Sequence, residues 1–232
     1  METKPRLLNV LDWVSLVLFV IATGMVFFYA PTEAIMGQVQ RVFYFHVATA
    51  WVGLLGFIAA GLAGIGYLRT NNLKWDNASL AAVEISLIFF AVAIVMGSIW
   101  ARPSWGTYWT WEPRLTTATV TELIYAAYLL LRQGLEDPER RARFSAVYTI
   151  LGCISVPITF VSIRLFRTIH PVVIGNADAA AQGGFSMTPA MFQTMMFSVV
   201  TFSVIFVALL WHRIRLGNLA DKVEQLRLKL AQ

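Results

Sequence analysis

Six stretches of this chain are long and apolar enough to cross a lipid bilayer, and no other feature restricts its fold as strongly. Crossing the hydrocarbon core takes about 20 mostly apolar residues. Residues 13–30, 47–68, 144–163 and 190–211 are free of charge; 77–101 carries only Glu84, and 115–131 only Glu122. A bilayer offers no water to unpaired backbone groups, so apolar runs of this length read as helices. Composition agrees. Of 232 residues, 58% are hydrophobic and 13% charged, whereas a soluble domain is about 25% charged. The fold class expected is all-α: a polytopic membrane protein with six transmembrane helices in a single domain over residues 1–232. The first run lacks a convincing small-residue cleavage site and is read as a retained helix rather than a signal peptide. Thr188 and Pro189 supply a start signal for the last helix, and Pro157 predicts a kink in the fifth.

Six spans put both termini on one side, and charge says which. Lys4, Arg6, Arg69, Lys74, Arg132, Arg140, Arg141, Arg143, Arg213, Arg215, Lys222, Arg227 and Lys229 fall at the termini and the even-numbered loops. Arg41, Arg102, Arg114, Arg164 and Arg167 fall on the other side. Thirteen against five is a positive-inside bias that makes the termini cytoplasmic. The net charge of +5 does not indicate nucleic acid, because no soluble basic cluster is interleaved with aromatics. The single cysteine, Cys153, excludes an intrachain disulfide and a CxxC pair. Without CxxCH the chain is not itself a c-type cytochrome.

On this topology the outer loops are about 31–45, 102–114 and 164–188. The second contains WGTYWTWEPRLT, Trp105 to Thr116. Scattered tryptophans near span ends, such as Trp13, Trp51, Trp75 and Trp211, suit an aromatic belt facing membrane lipid. Trp100, Trp105, Trp109 and Trp111 are half of the chain's eight tryptophans, gathered at one loop with Tyr108. They read as a belt or as a flat platform for a ligand. In a helical loop, Trp105, Tyr108 and Trp109 would share one face.

Two of the three histidines lie on the same outer side: His46 at the mouth of the second span and His170 beyond the fifth. His212 lies at the opposite end. A helical phase reaching back to His46 places it above Gly53, Gly56, Ala60 and Gly64, a small-residue face suited to close packing. A broad apolar disc, two imidazoles and guanidinium partners are what haem requires. Arg41, Arg102, Arg114 and Arg167 lie near the histidines or bracket the tryptophans. Zinc on His46, His170 and Glu112 is conceivable but has no use for the tryptophans.

WGTYWTWEPRLT resembles the "WWD" signature of the haem-handling membrane proteins of cytochrome c biogenesis. QRVFYFHVATAW, Gln40 to Trp51, resembles that family's first outer histidine segment, and RTIH, Arg167 to His170, its second. The size, the six spans and the lack of a large extra domain resemble the cytochrome c maturation C (haem exporter protein C) family. Tyr108 stands where the pattern often has Trp, and Glu112 replaces the signature aspartate.

The resemblance implies that His46 and His170 are axial ligands of a transiently held haem b. It makes Trp105, Trp109 and Trp111, with Tyr108 alongside, its platform. It also implies a non-enzymatic subunit of the bacterial cytoplasmic membrane, active at the periplasmic face, that delivers haem to a chaperone, the maturation E protein. Its other implied partners are the A and B subunits of an ATP-binding cassette transporter and the small D subunit.

Other readings make the chain a membrane b-type cytochrome or a proton or small-molecule transporter. Glu112 is alternatively an interfacial pair with Arg102 or Arg114. Glu122, an intramembrane carboxylate, is functional by default, or locally bonded near Thr119 and Thr121. Residues 218–232 read as a short cytoplasmic amphipathic tail with apolar positions 219, 223, 226 and 230, docking on a partner or lying on the membrane.

Overall fold

The computed structural model describes residues 4–166, 168–171 and 187–230. Among these the chain is helical, with one isolated bridge between Glu33 and Gly37. Helix α1 (Arg6–Gly24) ends in a π-helical turn, Met25–Tyr29. It is followed by α2 (Gln40–Thr70), α3 (Leu73–Trp105), α4 (Pro113–Gln133), α5 (Pro138–Cys153), α6 (Ser155–Leu165) and α7 (Pro189–Leu230). The chain is an all-α polytopic membrane protein. By length and apolarity five helical segments can cross a membrane: α1 with its π turn, α2, α3, the α5–α6 pair and α7. The fourth expected span, α4, has 21 residues, about 31 Å at 1.5 Å per residue, so its length suffices. It is less apolar because Thr116, Thr117, Thr119, Thr121 and Glu122 sit between Arg114 and Arg132.

Local chemistry sets the ends. Asn72 caps α3 by accepting from the Lys74 N–H at 3.0 Å, and Asn71 makes the preceding turn in the left-handed region, φ 50°. Glu112 and Asp137 cap α4 and α5, each followed by proline at the first helical position, where its missing N–H costs nothing. The fifth rod breaks at Ile154 between α5 and α6. Pro157 cannot donate to the carbonyl four residues back, so Cys153 is where the ladder fails.

Helix α2 is the hub. Of its apolar window 61% is buried, against 11% for α1, because α2 packs on α3, α5 and α7. Small residues permit this. A Cβ on Gly53 would meet Phe90 of α3, one on Gly56 would meet Ser86 and Phe206, and one on Gly64 would meet Thr149 and Ala146 of α5. Phe57 stacks on Tyr125 of α4 at 3.8 Å and 6°, among Leu54, Ala60, Val83, Phe90 and Val156. Toward the other end, Arg132 of α4 makes a two-pronged ion pair with Asp76 of α3, at 2.6 and 2.9 Å.

Candidate functional site

The end of the bundle near the α3–α4 connection holds a cavity of about 310 Å³. Most of its lining is apolar, with Val47, Ala50 and Leu54 from α2, Ala93, Ile94 and Gly97 from α3, and Leu115 and Ala118 from α4. The same cavity is lined by His46, Trp105, Trp109, Arg114, Arg164 and His170.

His46 is held by α3. Its Nδ1 lies 2.8 Å from the Ala93 carbonyl oxygen, which only accepts, so Nδ1 carries the proton and a neutral ring keeps its lone pair on Nε2. The ring lies against Gly97, where a Cβ would stand 2.7 Å from Cε1 and 3.0 Å from Nδ1. His170 is arranged in the same way from the other side. Its Nδ1 lies 3.1 Å from the Pro171 carbonyl oxygen, and its backbone N–H donates to Thr168 Oγ1 at 3.1 Å. Burial, then the Arg114 guanidinium and His46, push the His170 imidazole down from 6.5 to about 3. That ring is neutral at pH 7. The two imidazole centroids are 6.5 Å apart and tilted by 49°.

Glu112 links the two loops. Its Oε1 accepts from the Leu115 N–H at 2.7 Å, capping α4, and its Oε2 accepts from the Thr168 hydroxyl. The hydroxyl that receives the His170 N–H is thus fixed by the residue standing at the signature acid position.

The tryptophans divide. Trp105, the last residue of α3, contacts the His170 ring edge-on at 6.2 Å and 63° and is braced by Trp100 at 6.3 Å. Trp109 lines the cavity, and its Nε1 is buried without a protein partner among the described residues. Trp111 meets Trp109 edge-on at 5.5 Å but is 73% exposed. The loop is not helical: Gly106, at φ 72°, ends α3 in the left-handed region. The shared helical face of Trp105, Tyr108 and Trp109 therefore does not form. Tyr108 turns outward under the Arg102 guanidinium, 5.6 Å from its ring centre.

The arginines divide as well. Arg114 lines the cavity, donating to the Thr159 carbonyl at 2.5 Å and lying 5.2 Å from the Phe160 ring centre. Arg41 is turned to α1, donating to the Val26 carbonyl at 2.7 Å and to Gln38. Arg102 closes on the Gly106 carbonyl. Neither is among the residues that line the cavity. Arg167 lies outside the described residues. Sequence reasoning did not single out Arg164, Gly97, Thr159 or Thr168, and it placed Trp51 in the belt, whereas Trp51 lines the cavity. Arg164 carried a signal in its outward position; Gly97 carried none inside an apolar run.

Fold and site together define a polytopic helical membrane protein with two imidazoles and four indoles lining a largely apolar cavity. The chain belongs to the heme exporter protein C family, whose model matches residues 1–229. It is 31% identical to the heme exporter protein C of Bradyrhizobium diazoefficiens, over 87% of this chain and 75% of that protein. Against the heme exporter protein C of Rhodobacter capsulatus the identity is 27%, covering 97% and 92% of the two chains. Against that of Escherichia coli K12 it is 28%, covering 91% and 86%.

Proposed function

We propose that this chain handles haem for cytochrome c maturation, holding it in the cavity between His46 and His170 and releasing it to a haem chaperone. The observation that carries this reading is the imidazole pair. Each Nδ1 is committed to a backbone carbonyl, which leaves Nε2 as the ligating nitrogen and fixes each ring, as in sites where a second bond orients the ligand. Metal–imidazole bonds are about 2 Å and a ring nitrogen lies about 1 Å from its ring centre, so two axial imidazoles place their centroids about 6 Å apart. The 6.5 Å separation of the two ring centroids is close to that spacing. The apolar lining suits the porphyrin, and Arg114 and Arg164, which also line the cavity, suit its propionates.

The two histidines approach from different parts of the chain. His46 is anchored in the helical bundle, whereas His170 stands beyond α6 and is fastened by Thr168 and Glu112. Release then requires only the latch on His170 to loosen, and no covalent step belongs to this chain. We place the site on the periplasmic face of the bacterial cytoplasmic membrane, on the thirteen-to-five basic asymmetry. The cargo is haem b, held transiently. The partners are the maturation E chaperone and the A, B and D subunits of the transporter.

An absorption spectrum of the purified protein loaded with haem, with and without the purified chaperone, tests the reading. The expected result is a low-spin spectrum that transfers to the chaperone. Haem that stays at full occupancy and cycles reversibly between redox states would instead make the chain an electron-transfer cytochrome.

A further inference from the structure

Helix α7 does not stop where its apolar run stops. It continues unbroken from Pro189 to Leu230, so at 1.5 Å per residue the part after Trp211 reaches roughly 28 Å beyond the span. Its root is fixed to α3. Asn77 Nδ2 donates to the Ile214 carbonyl at 2.8 Å and to Asn218 Oδ1 at 2.9 Å, and Arg213 pairs with Glu84 at 2.6 Å. A Cβ at Gly217 would collide with the Asn77 amide. Glycine, otherwise unfavourable inside a helix, is here what lets α3 grip α7 and set the direction of the tail.

Beyond the grip, Leu219, Val223, Leu226 and Leu230 are 56%, 49%, 59% and 88% exposed. Their spacing is that of alternating d and a positions of a heptad, and helical phase puts them on the side of α7 opposite Ile214, Gly217 and Asn218. In that register Lys222 and Lys229 take g positions and Arg227 an e position, so the charges flanking the seam are basic. Asp221 and Glu224 lie off the seam, Glu224 pairing with Arg227 at 3.5 Å.

This pattern selects among occupants. A second copy would set Lys222 and Lys229 against Arg227, or against themselves, and like charges at e and g oppose pairing. A lipid surface needs the helix to lie flat, but α7 has no break at which to bend, and the outer basic residues stand more than a Debye length of about 8 Å from the end of the span. We propose that the tail of α7 is a docking rod for a helix of another protein whose apolar seam is flanked by aspartate or glutamate.

The test uses the full-length chain in phosphatidylcholine nanodiscs with fluorescent synthetic heptad peptides, identical in their leucine seam but flanked by glutamate or by lysine. The glutamate peptide should bind tighter by roughly tenfold or more, since three basic residues flank the seam and each exposed pair adds a modest gain. Lys222→Glu, Arg227→Glu and Lys229→Glu together should invert the preference. Val223→Asp, on an exposed face, should abolish binding of both peptides while the protein remains folded. Equal binding of the two peptides, or of neither, overturns the proposal. So does disulfide dimerisation of a Cys153→Ala, Leu226→Cys protein, which would assign the seam to a second copy. Loss of peptide binding when phosphatidylglycerol is added to the discs would assign it to the membrane.

Discussion

Replacing Gly97 with alanine should damage haem ligation without destabilising the protein. The new Cβ would stand 2.7 Å from His46 Cε1 and 3.0 Å from Nδ1. Carbon contacts are comfortable from about 3.5 Å, so the ring has to retreat from α3 by about 0.8 Å. That takes its 2.8 Å bond to the Ala93 carbonyl past the limit of about 3.2 Å and costs about 1 kcal/mol. Alanine in place of glycine in a helix returns about 1 kcal/mol, so folding stability should hardly change. Nε2, in contrast, moves with the ring, and its displacement by nearly 1 Å would break the match to the iron position proposed between it and His170. The assay is paired: thermal unfolding of the haem-free variant, and absorption spectroscopy after haem loading. Unchanged unfolding with a spectrum shifted toward high spin, partly restored by added imidazole, is the expected outcome. A wild-type low-spin spectrum at full haem retention would show that the position of the His46 ring against α3 is immaterial, and the argument from Gly97 would fail.

Three further sets of substitutions probe the remaining parts. Trp105, Trp109 and Trp111 changed together to alanine should reduce haem retention strongly, at about 1–3 kcal/mol per stacking ring by analogy with bases, with most of the loss traceable to Trp105 and Trp109. Retention at the wild-type level would leave the tryptophans as a belt. Thr168→Val keeps shape but removes the hydroxyl that joins Glu112 to the His170 N–H, two bonds worth about 1 kcal/mol each. It should speed haem loss while leaving α4 capped, and an unchanged rate of loss would make the latch irrelevant. For topology, single cysteines in a Cys153→Ala background at Ser104 should react with an impermeant reagent outside intact cells, and those at Asn72 or Asp137 should not; the reverse pattern would refute the assigned sidedness.

The helices were legible because bilayer crossing demands uninterrupted apolar length, and that demand leaves a one-dimensional trace. Their true ends were less so. Helix α2 starts at Gln40, within the expected first outer loop, because a tertiary contact, the bond from Trp100 Nε1 to Gln40 Oε1 at 3.1 Å, anchors that first turn. His46, His170, Trp105 and Trp109, which line the cavity, stood out by residue type and by their place at the expected outer loops. Which arginines face the cavity did not, because the end of α3 at Gly106 turns Arg102 and Tyr108 outward together while the cap at Glu112 aims Arg114 inward. Gly97 and Thr168 were invisible for the same reason: each matters through a neighbour that is distant in sequence.

The central claim is that His46 and His170 ligate one iron, and the spin state of the haem-loaded protein tests it most directly. Absorption and electron paramagnetic resonance spectra should be compared for the wild type, His46→Ala, His170→Ala and His212→Ala. His212 bonds Asp12 at 2.9 Å, at the other end of the bundle. The account predicts a low-spin wild type and an unchanged His212→Ala. Either outer variant should become high spin or lose haem, and each should return toward low spin with added imidazole. Low-spin haem retained in both His46→Ala and His170→Ala, or a spectrum altered only by His212→Ala, would contradict it.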